Sequence, residues 1–495
     1  MNSVKRVLLG SAAGVFAVAG AQAADLPVKA KAVEYVKVCS LYGAGFWYVP
    51  GTDTCIKIGS QMKLQLMYNA NPGGPFMMGV AANGAGDTGG RHDRVDTTPF
   101  TFNQRNNISF DLRTQTEYGT LRSYFDAYFQ TQSSDVATNQ LASIQLGNTR
   151  GFIQFAGFTI GRMRSFFDMY FQGTYAFSGS RFGNDSSPNG IIGAAYTWQF
   201  GGGLSTTLSL EDNGGGNAAR GRSTVNLSAA SLAIGNNTFD NKGQEFFDPV
   251  FNLRLDQAWG FVGASAALHD ASAGYYQPGL NGVATLSEGN GHPGDKYGWA
   301  ATAAFLINSP FGLQGDAVAA QAVYSKGAAG YATAAWGPTA VFGAGNNLGV
   351  GWMEEGVFTT GNAVELTTVW SWNSAYEHRW NPQWRTSVYG GMFGVQYDGT
   401  ATAMICSGTG FVGASFSKIS NCSPNWSMSG VGTRTLWNPV PDLDVGFDVV
   451  WWHLNTAFAG TAVLGANGAK PSGTYTISDQ DTLAAIFRVQ RNFLY

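Results

Sequence analysis

The sequence predicts an all-β fold, a 16-stranded antiparallel transmembrane β-barrel with short periplasmic turns and long extracellular loops. Three observations predict it: apolar and polar residues alternate along many segments, the connections alternate between short and long, and aromatic residues gather near the short connections. The composition agrees, because charged residues make up only 12% of the chain while aromatic residues make up 14%. Soluble domains carry about twice this share of charge, and a chain this rich in aromatic residues is not disordered.

The chain begins with the pattern of an export signal. Lys5 and Arg6 precede a short apolar stretch from Val7 to Ala19, and a small-x-small triplet follows at 21–23. This stretch is typical of a secretory signal and is too short to span a membrane as a helix. Loss of the two basic residues makes the net charge of −3 more negative, so no basic excess suggests a nucleic-acid partner. The predicted organisation is a signal peptide (1–23), an N-terminal periplasmic disulfide segment (24–55) and the barrel (56–495).

Four cysteines occur in the chain, at Cys39, Cys55, Cys406 and Cys422. An even number of cysteines in an exported chain suggests disulfides, because the compartment is oxidising. The local pairing Cys39–Cys55 and Cys406–Cys422 is the simplest of the three connectivities that four cysteines allow. A zinc site would need tighter spacings such as C-x2-C, so no metal is expected.

Alternation along the chain identifies individual strands. The segment 105–116 places Ile108 and Phe110 on one side and Arg105 and Arg113 on the other, because successive side chains of a strand point to opposite faces. The same alternation recurs in 56–68, 121–130, 251–256 and 442–451. A soluble sandwich would bury the apolar faces against each other, whereas a membrane barrel would turn them to lipid and line its lumen with the polar faces. Alternation alone leaves both possibilities open.

The lengths of the connections favour the barrel. Short turns rich in Gly, Pro and Asn are predicted at 117–120, 155–158, 200–203, 258–260, 309–312, 381–383 and 438–441. Long polar stretches lie between them, near 69–102, 131–148, 164–190, 212–246, 270–296, 326–361, 398–424 and 455–478. Short turns on one rim and long loops on the other are the outer-membrane pattern, and this set of turns and loops requires 16 strands.

Aromatic residues support the same fold. Tryptophans flank the short turns at Trp198, Trp259, Trp380, Trp384 and Trp437. Trp and Tyr favour the boundary between membrane and water. The last segment places Phe487, Phe493 and Tyr495 on one parity, as in the terminal recognition strand of outer-membrane barrels, although Arg491 interrupts that face. Lipid offers backbone groups no hydrogen-bond partner, so only a closed barrel can span it without helices, and 16 strands leave room for a water-filled channel.

Several longer segments resemble one family. The segment 38–59, VCSLYGAGFWYVPGTDTCIKIG, resembles the N-terminal hallmark of the alphaproteobacterial general porin family, of the Rhizobium and Brucella type. AADLP at 23–27, RTQTEYGTLR at 113–122, and FAGFTIGR at 155–162 followed by SFFD at 165–168 resemble further parts of that family. The resemblance implies a homotrimer in outer-membrane lipid that passes small hydrophilic solutes and ions by diffusion. It also implies an inward-folded third loop that narrows the lumen.

Charged residues set the ion preference of a pore at close quarters. Strand parity and the place of the third loop predict a set of pore residues at the constriction and along the lumen: Arg105, Arg113, Arg122, Asp126, Arg162, Arg164, Asp168 and Asp185. Acidic groups of the loop opposite basic groups of the wall would create a transverse field, with Arg105, Arg113, Asp168 and Asp185 at the narrowest part. Parity fixes the face of a residue but not its height, so a plain solvated charge is the alternative for each.

Passive diffusion is the expected function, and three alternatives stay open. Tyr124, Tyr128 and Trp452 on lumen parity suggest a substrate-selective channel, for example for sugars, and the long loops suggest an adhesin or surface scaffold. A hydrolase would need a serine, a nearby histidine and an orienting group. The chain shows no complete set and no G-x-S-x-G motif, so neither catalysis nor a cofactor is expected. The predicted location is the bacterial outer membrane.

Overall fold

The computed structural model describes most of the chain in twelve ranges. These are residues 39–69, 100–132, 144–169, 172–177, 190–212, 223–228, 240–276, 288–333, 337–342, 346–407, 418–466 and 471–494. The predicted signal peptide lies outside the described residues. The chain divides into two compact units between Ile56 and Lys57. In the part of the chain that is described, no helix has the length and apolar character to cross a membrane.

The first unit is held together by a disulfide and a short strand pair. A 3-10 helix spans Ser40–Tyr42, and the strand Trp47–Tyr48 pairs antiparallel with residues 55 and 56. The predicted bond Cys39–Cys55 is formed, with the two Cα atoms 5.7 Å apart, a distance usual for disulfides.

Sixteen strands form the barrel. They are β1 (Thr54–Asn69), β2 (Phe100–Thr116), β3 (Gly119–Gln132), β4 (Ile144–Phe155), β5 (Phe158–Met163), β6 (Ile191–Gly201), β7 (Leu204–Asp212), β8 (Asp248–Gln257), β9 (Gly260–Asp270), β10 (Tyr297–Asn308), β11 (Ala317–Lys326), β12 (Thr368–Arg379), β13 (Trp384–Gln396), β14 (Trp426–Trp437), β15 (Leu443–Asn455) and β16 (Gln480–Phe493).

Each barrel strand pairs antiparallel with the strands before and after it, and β16 also pairs with β1 in a register that runs from Ser60 opposite Phe493 to Asn69 opposite Ala484. The barrel is therefore closed, and the predicted number of strands is confirmed. The predicted short turns are confirmed as well. In the turn between β4 and β5, Ala156 and Gly157 have φ of 48° and 89°, the left-handed backbone that tight hairpins require.

The two faces of the strands follow the predicted alternation. Large apolar side chains are exposed on the outer face, for example Met62 on β1, Phe125 on β3 and Leu146 on β4. The predicted tryptophans near the short turns are exposed too, and the rings of Trp384 and Trp437 stack with centroids 5.8 Å apart. An apolar belt with aromatic residues at its rim is the surface that a bilayer covers.

The long loops carry short elements of their own. Three short strands, Thr224–Asn226, Gly356–Phe358 and Glu365–Leu366, form one small sheet. A second sheet contains Gly337–Phe342, Asn347–Met353, Lys418–Asn421, Ala459–Leu464 and Gly473–Ile477. The helix α1 (Gly399–Cys406) ends at the second predicted disulfide, Cys406–Cys422, which is also formed. Among the described residues of this unit, the long loops carry the 3-10 helices Gln172–Thr174, Glu288–Asn290 and Ala329–Tyr331, and the short turn between β10 and β11 carries Pro310–Gly312.

The interior differs from the expected polar lumen on one side of the barrel. Near the long-loop rim, Phe393, Trp426 and Trp452 on the inner faces of β13–β15 pack with Trp352 and Phe458 of the loops in one apolar cluster. The Trp426 indole Nε1 donates to the Trp352 carbonyl at 2.8 Å. The sixth, seventh and eighth loops fold inward because they bury apolar surface there. Trp452, expected on the lumen surface, is only 3% exposed.

Candidate functional site

The third long loop leaves β5 and is fixed at once to the inner wall. Ser165 Oγ donates to Glu211 Oε2 at 2.6 Å, and the backbone N–H of Phe166 donates to Glu211 Oε1 at 2.8 Å. Asn252 Nδ2 on β8 donates to the Phe166 carbonyl at 3.0 Å. Glu211 lies on the inner face of β7 and is fully buried. Its carboxylate therefore orders the start of the loop through hydrogen bonds of the strong, charge-assisted kind.

Residues 174–177 of the same loop contact strands on the nearly opposite side of the barrel. Arg434 Nη2 on β14 donates to the Thr174 carbonyl at 2.6 Å, and the carboxylate of Asp448 on β15 accepts from the backbone N–H of Phe177. The ring centroid of Phe177 lies 3.9 Å from Cζ of Arg488 on β16. The loop thus crosses the lumen, and the expected inward-folded third loop is confirmed.

Further contacts hold the crossing loop in place. Ser387 Oγ donates to the Tyr175 carbonyl. Burial raises the pKa of Tyr175 to about 12, and the charge of Glu377 adds to this shift, so the phenol is neutral at physiological pH. The ring of Phe167, fully buried, meets Tyr331 of the sixth loop edge to face with centroids 4.8 Å apart. The third loop is therefore part of the packed interior.

Basic side chains are concentrated on the wall at one end of the crossing. Lys63 on β1 lies close enough to Arg105 on β2 and to Arg488 on β16 for their charges to repel. Arg488 is repelled in the same way by Arg434. Glu377 binds Arg434 at 2.8 Å, and Asp444 and Asp448 also act on Arg488, so the basic cluster borders carboxylates of β12 and β15.

Two arginines share one carboxylate on the neighbouring part of the wall. Arg113 contacts Asp111 through Nε at 3.1 Å and Nη2 at 2.8 Å, and Arg122 contacts the same carboxylate through Nε and Nη2, both at 2.9 Å. A further Arg122 nitrogen, Nη1, donates to Gln154 Oε1 at 2.9 Å. The cluster thus contains two cations bound to one described carboxylate.

Aromatic rings lie among these charges. Tyr124 on β3 and Phe152 on β4 are direct cross-strand partners, and their rings stack with centroids 5.3 Å apart and an angle of 24° between the planes. The guanidinium of Arg105 lies 3.6 Å above the ring of Tyr128. A side chain at Gly147 would collide with that ring, because an added Cβ would lie 2.3 Å from it. The glycine therefore lets Tyr128 lie flat against the wall.

The structure brings together Arg105, Arg113 and Arg122 of the predicted pore residues, all half-buried on the inner wall. Asp126 lies on the same wall but is only 3% exposed. Its Oδ1 accepts from Asn107 Nδ2 at 2.9 Å and from Thr149 Oγ1 at 2.7 Å, next to a bulge in the pairing of β3 with β4. Asp126 therefore orders the bulge.

The remaining predicted pore residues are placed differently. The Asp168 side chain is 0% exposed and lies 3.9 Å from Arg164 Nε, so this carboxylate does not face the lumen water, whereas the Arg164 side chain is 35% exposed. Arg162 pairs with Ile192 and shares the parity of the exposed Phe158, which is the outer face of β5. Asp185 lies outside the described residues.

Sequence reasoning did not select five residues that the structure places at this site: Asp111, Phe152, Glu211, Arg434 and Arg488. Asp111 and Arg488 lie on the polar faces of their strands. Alternation therefore predicts that they face the lumen, but it does not reveal their contacts. Phe152 stands on inner parity between polar residues, which is a detectable signal for an aromatic side chain inside the lumen. Arg434 lies in a Gly- and Thr-rich strand in which alternation is weak.

Comparisons with known proteins agree with this architecture. A family model of the porin subfamily matches residues 25–486. Porin Omp2b of Brucella suis is 32% identical over 222 residues, which are 43% of this chain and 54% of the relative. Porin Omp2a of Brucella melitensis is 31% identical over 227 residues, covering 43% of this chain and 57% of the relative. The chain thus spans a little over half the length of these curated relatives.

A solved structure supports the fold. The outer membrane channel DcaP of Acinetobacter baumannii aligns with 90% of this chain and 99% of its own, with a TM-score of 0.55 and 12% sequence identity. The closed barrel with its apolar outer belt is a multi-pass protein of the outer membrane. The family match and the Brucella relatives confirm the resemblance seen in the sequence. This chain therefore belongs to the porin subfamily.

Proposed function

We propose that the barrel is a water-filled channel for passive diffusion of small hydrophilic solutes and ions across the outer membrane. The observation that carries this proposal is the polar, partly exposed inner wall along β1–β4 and β16, which remains beside the crossing third loop. The apolar cluster fills the neighbouring side, along β13–β15, near the long-loop rim, so the passage runs along this wall. The family match supports a channel, and no step of catalysis is needed for this function.

The constriction is proposed to lie between the third loop and the wall that carries Arg105, Arg113 and Arg122. Arg164 is the described loop charge with a partly exposed side chain near the entry of the loop. Asp126 and Asp168 support the local structure, since both carboxylates are buried. Asp185 remains a proposed constriction residue on the evidence of the sequence alone.

The charges of the wall favour anions over cations. Among described inner-face residues of β1–β3 and β14–β16, basic side chains outnumber carboxylates, and Lys63, Arg105 and Arg488 repel one another. An excess of fixed positive charge in a narrow, poorly screened passage attracts anions and repels cations.

Reversal potentials of the purified protein in planar bilayers test both proposals. We expect stable conductance in KCl and a reversal potential that favours chloride. Arg113→Gln removes a charge from the inner wall and should shift the potential toward potassium, whereas Arg491→Gln removes the same charge from the outer face and should leave it unchanged. A protein that inserts without conducting would refute the channel, and equal shifts in both variants would refute the assigned wall.

We further propose that the channel is a homotrimer in outer-membrane lipid. Arg162, Gln104 and Asn106 lie on outer-face parity of β2 and β5. Polar groups on the outer face are unsuited to lipid, and a neighbouring copy of the chain would cover them. Light scattering of the detergent-solubilised protein should give three times the chain mass, and a fully conducting monomer would refute the trimer.

The alternative of a sugar-selective channel is weakened at one residue, because Trp452 is buried. Tyr124 and Tyr128 do lie on the inner wall, half-buried. Flux that rises linearly with sugar concentration would support passive diffusion, and saturable flux would support selectivity.

A further inference from the structure

We propose that the inner wall of β2–β4 contains a binding site for planar aromatic carboxylates, formed by the stacked rings of Tyr124 and Phe152 and the shared-carboxylate cluster of Arg113, Asp111 and Arg122. This inference rests on the proposed channel function and names a solute class that the passage retains. All residues of the site belong to the barrel strands β2–β4.

The residues of the site form one continuous row across the strands. Asp111 on β2 pairs with Tyr124 on β3, Tyr124 pairs with Phe152 on β4, and Phe152 pairs with Gly161 on β5. The aromatic rings are half-buried, so part of each ring is accessible from the lumen. At Gly161 an added Cβ would lie 2.3 Å from the Gly151 carbonyl oxygen and 2.9 Å from the Phe152 Cα, so the two strands approach closely there and a ligand ring would reach the pair from the lumen.

The charge lies within reach of the rings. Cζ of Arg122 is 5.2 Å from the ring centroid of Tyr124 and 5.4 Å from that of Phe152. Arg122 is itself held by Asp111 and Gln154, so its position is ordered before a ligand arrives. Since Arg113 and Arg122 both bind Asp111, a carboxylate supplied by a solute would meet two guanidinium groups that are already in place.

A ligand that fits both features has a flat ring and one carboxylate next to it. Ring stacking on Tyr124 and Phe152 distinguishes such a solute from an aliphatic acid of the same charge, because aromatic pairs gain energy beyond the area they bury. The carboxylate of the solute is attracted to the two arginines, as any organic anion would be. The row of residues thus predicts that the channel binds aromatic carboxylates more tightly than aliphatic ones, in addition to a general preference for anions.

Benzoate and cyclohexanecarboxylate are the matched probes, since they differ in the π-system and share the charge. The purified protein is reconstituted in planar bilayers, and each acid is titrated while the KCl current is recorded. We expect benzoate to reduce the current at a concentration about three- to tenfold lower than cyclohexanecarboxylate, the range that one aromatic contact supplies. KCl conductance without acid reports on the channel itself, so a silent protein refutes the channel and not the site.

Variants of the rings complete the test. Phe152→Leu and Tyr124→Leu should each bring the two acids to equal half-blocking concentrations. Phe110→Leu is the control, because Phe110 stacks with Phe125 on the outer face of the same strands at 6.3 Å. Arg122→Gln should weaken both acids and preserve their ratio. Equal half-blocking concentrations in the unmodified, conducting channel would overturn the site, as would discrimination that survives in Phe152→Leu.

Discussion

Replacing Glu211 by Gln should release the start of the third loop from the wall. The carboxylate accepts from Ser165 Oγ at 2.6 Å, from the Phe166 N–H at 2.8 Å and from Ser209 Oγ at 3.0 Å, in a fully buried position. Gln keeps the volume and one acceptor oxygen but loses the negative charge. The change therefore isolates the electrostatic part of the anchor without opening a cavity.

The size of the effect follows from the two bonds that reach the loop. A hydrogen bond to a charged group contributes about 1.5–3 kcal/mol and a neutral one about 0.5–1.5 kcal/mol. Converting two charged bonds to neutral ones should weaken the docking of the loop by about 2 kcal/mol. Since about 1.4 kcal/mol corresponds to a tenfold change in an equilibrium constant, the released state should become roughly 30 times more populated.

Hydrogen exchange of the segment 164–169 measures that population directly. Its amides should exchange about 30-fold faster in Glu211→Gln, while the barrel strands keep their protection, and single-channel recordings should show more frequent current fluctuations. Asp256→Asn is the matched control, because Asp256 is an inner-wall carboxylate that pairs with Arg254 at 2.7 Å. Exchange in Glu211→Gln no faster than in the control would refute the anchoring role.

Three further predictions concern the loops and the N-terminus. Replacing both Cys406 and Cys422 by Ala should lower the thermal stability measured by circular dichroism, since a closed loop of this length contributes about 3 kcal/mol; unchanged melting would contradict it. Burial raises the pKa of Glu354 in the sixth loop well above its usual 4.5, so the folded loop keeps a proton that the unfolded chain releases. The protection of the sixth loop against hydrogen exchange should therefore decrease as pH rises above 4.5. Glu354→Gln should remove that dependence in hydrogen exchange, and an unchanged slope would count against it. Sequencing the mature protein should give Ala24 as its first residue; a start at Met1 would contradict the export signal.

Much of the fold could be predicted because a transmembrane strand with one face toward lipid and one toward the lumen alternates apolar and polar residues. Ile108 and Phe110 meet the outside while Arg105 and Arg113 meet the inside, and the structure keeps this assignment. The connections could also be recognised in the sequence, since a short turn and a long loop differ in composition as well as in length. The connections therefore sufficed to predict the number of strands, and parity sufficed to predict the basic wall.

The site was less predictable where long loops decide the environment. Trp452 has inner parity, yet the inward-folded loops bury it, and Asp168 belongs to a loop whose packing no local pattern reveals. Arg162 was expected with the loop charges, but β5 continues to Met163 and carries Arg162 on its outer face. For Trp452 and Asp168 the packing of the loops decides the environment, whereas the outer face of Arg162 follows from the parity that it shares with Phe158 and Ile160.

The loop tied to β7 at one end and to β14 and β15 at the other has a mechanical consequence. A ring of hydrogen-bonded strands resists being stretched around its circumference but flattens easily when squeezed from two sides. A strut between nearly opposite points stiffens it against that deformation. The width of the opening is then governed by the protein itself, and changes in lateral pressure or lipid thickness should alter permeability less than the loss of a single buried carboxylate such as Glu211.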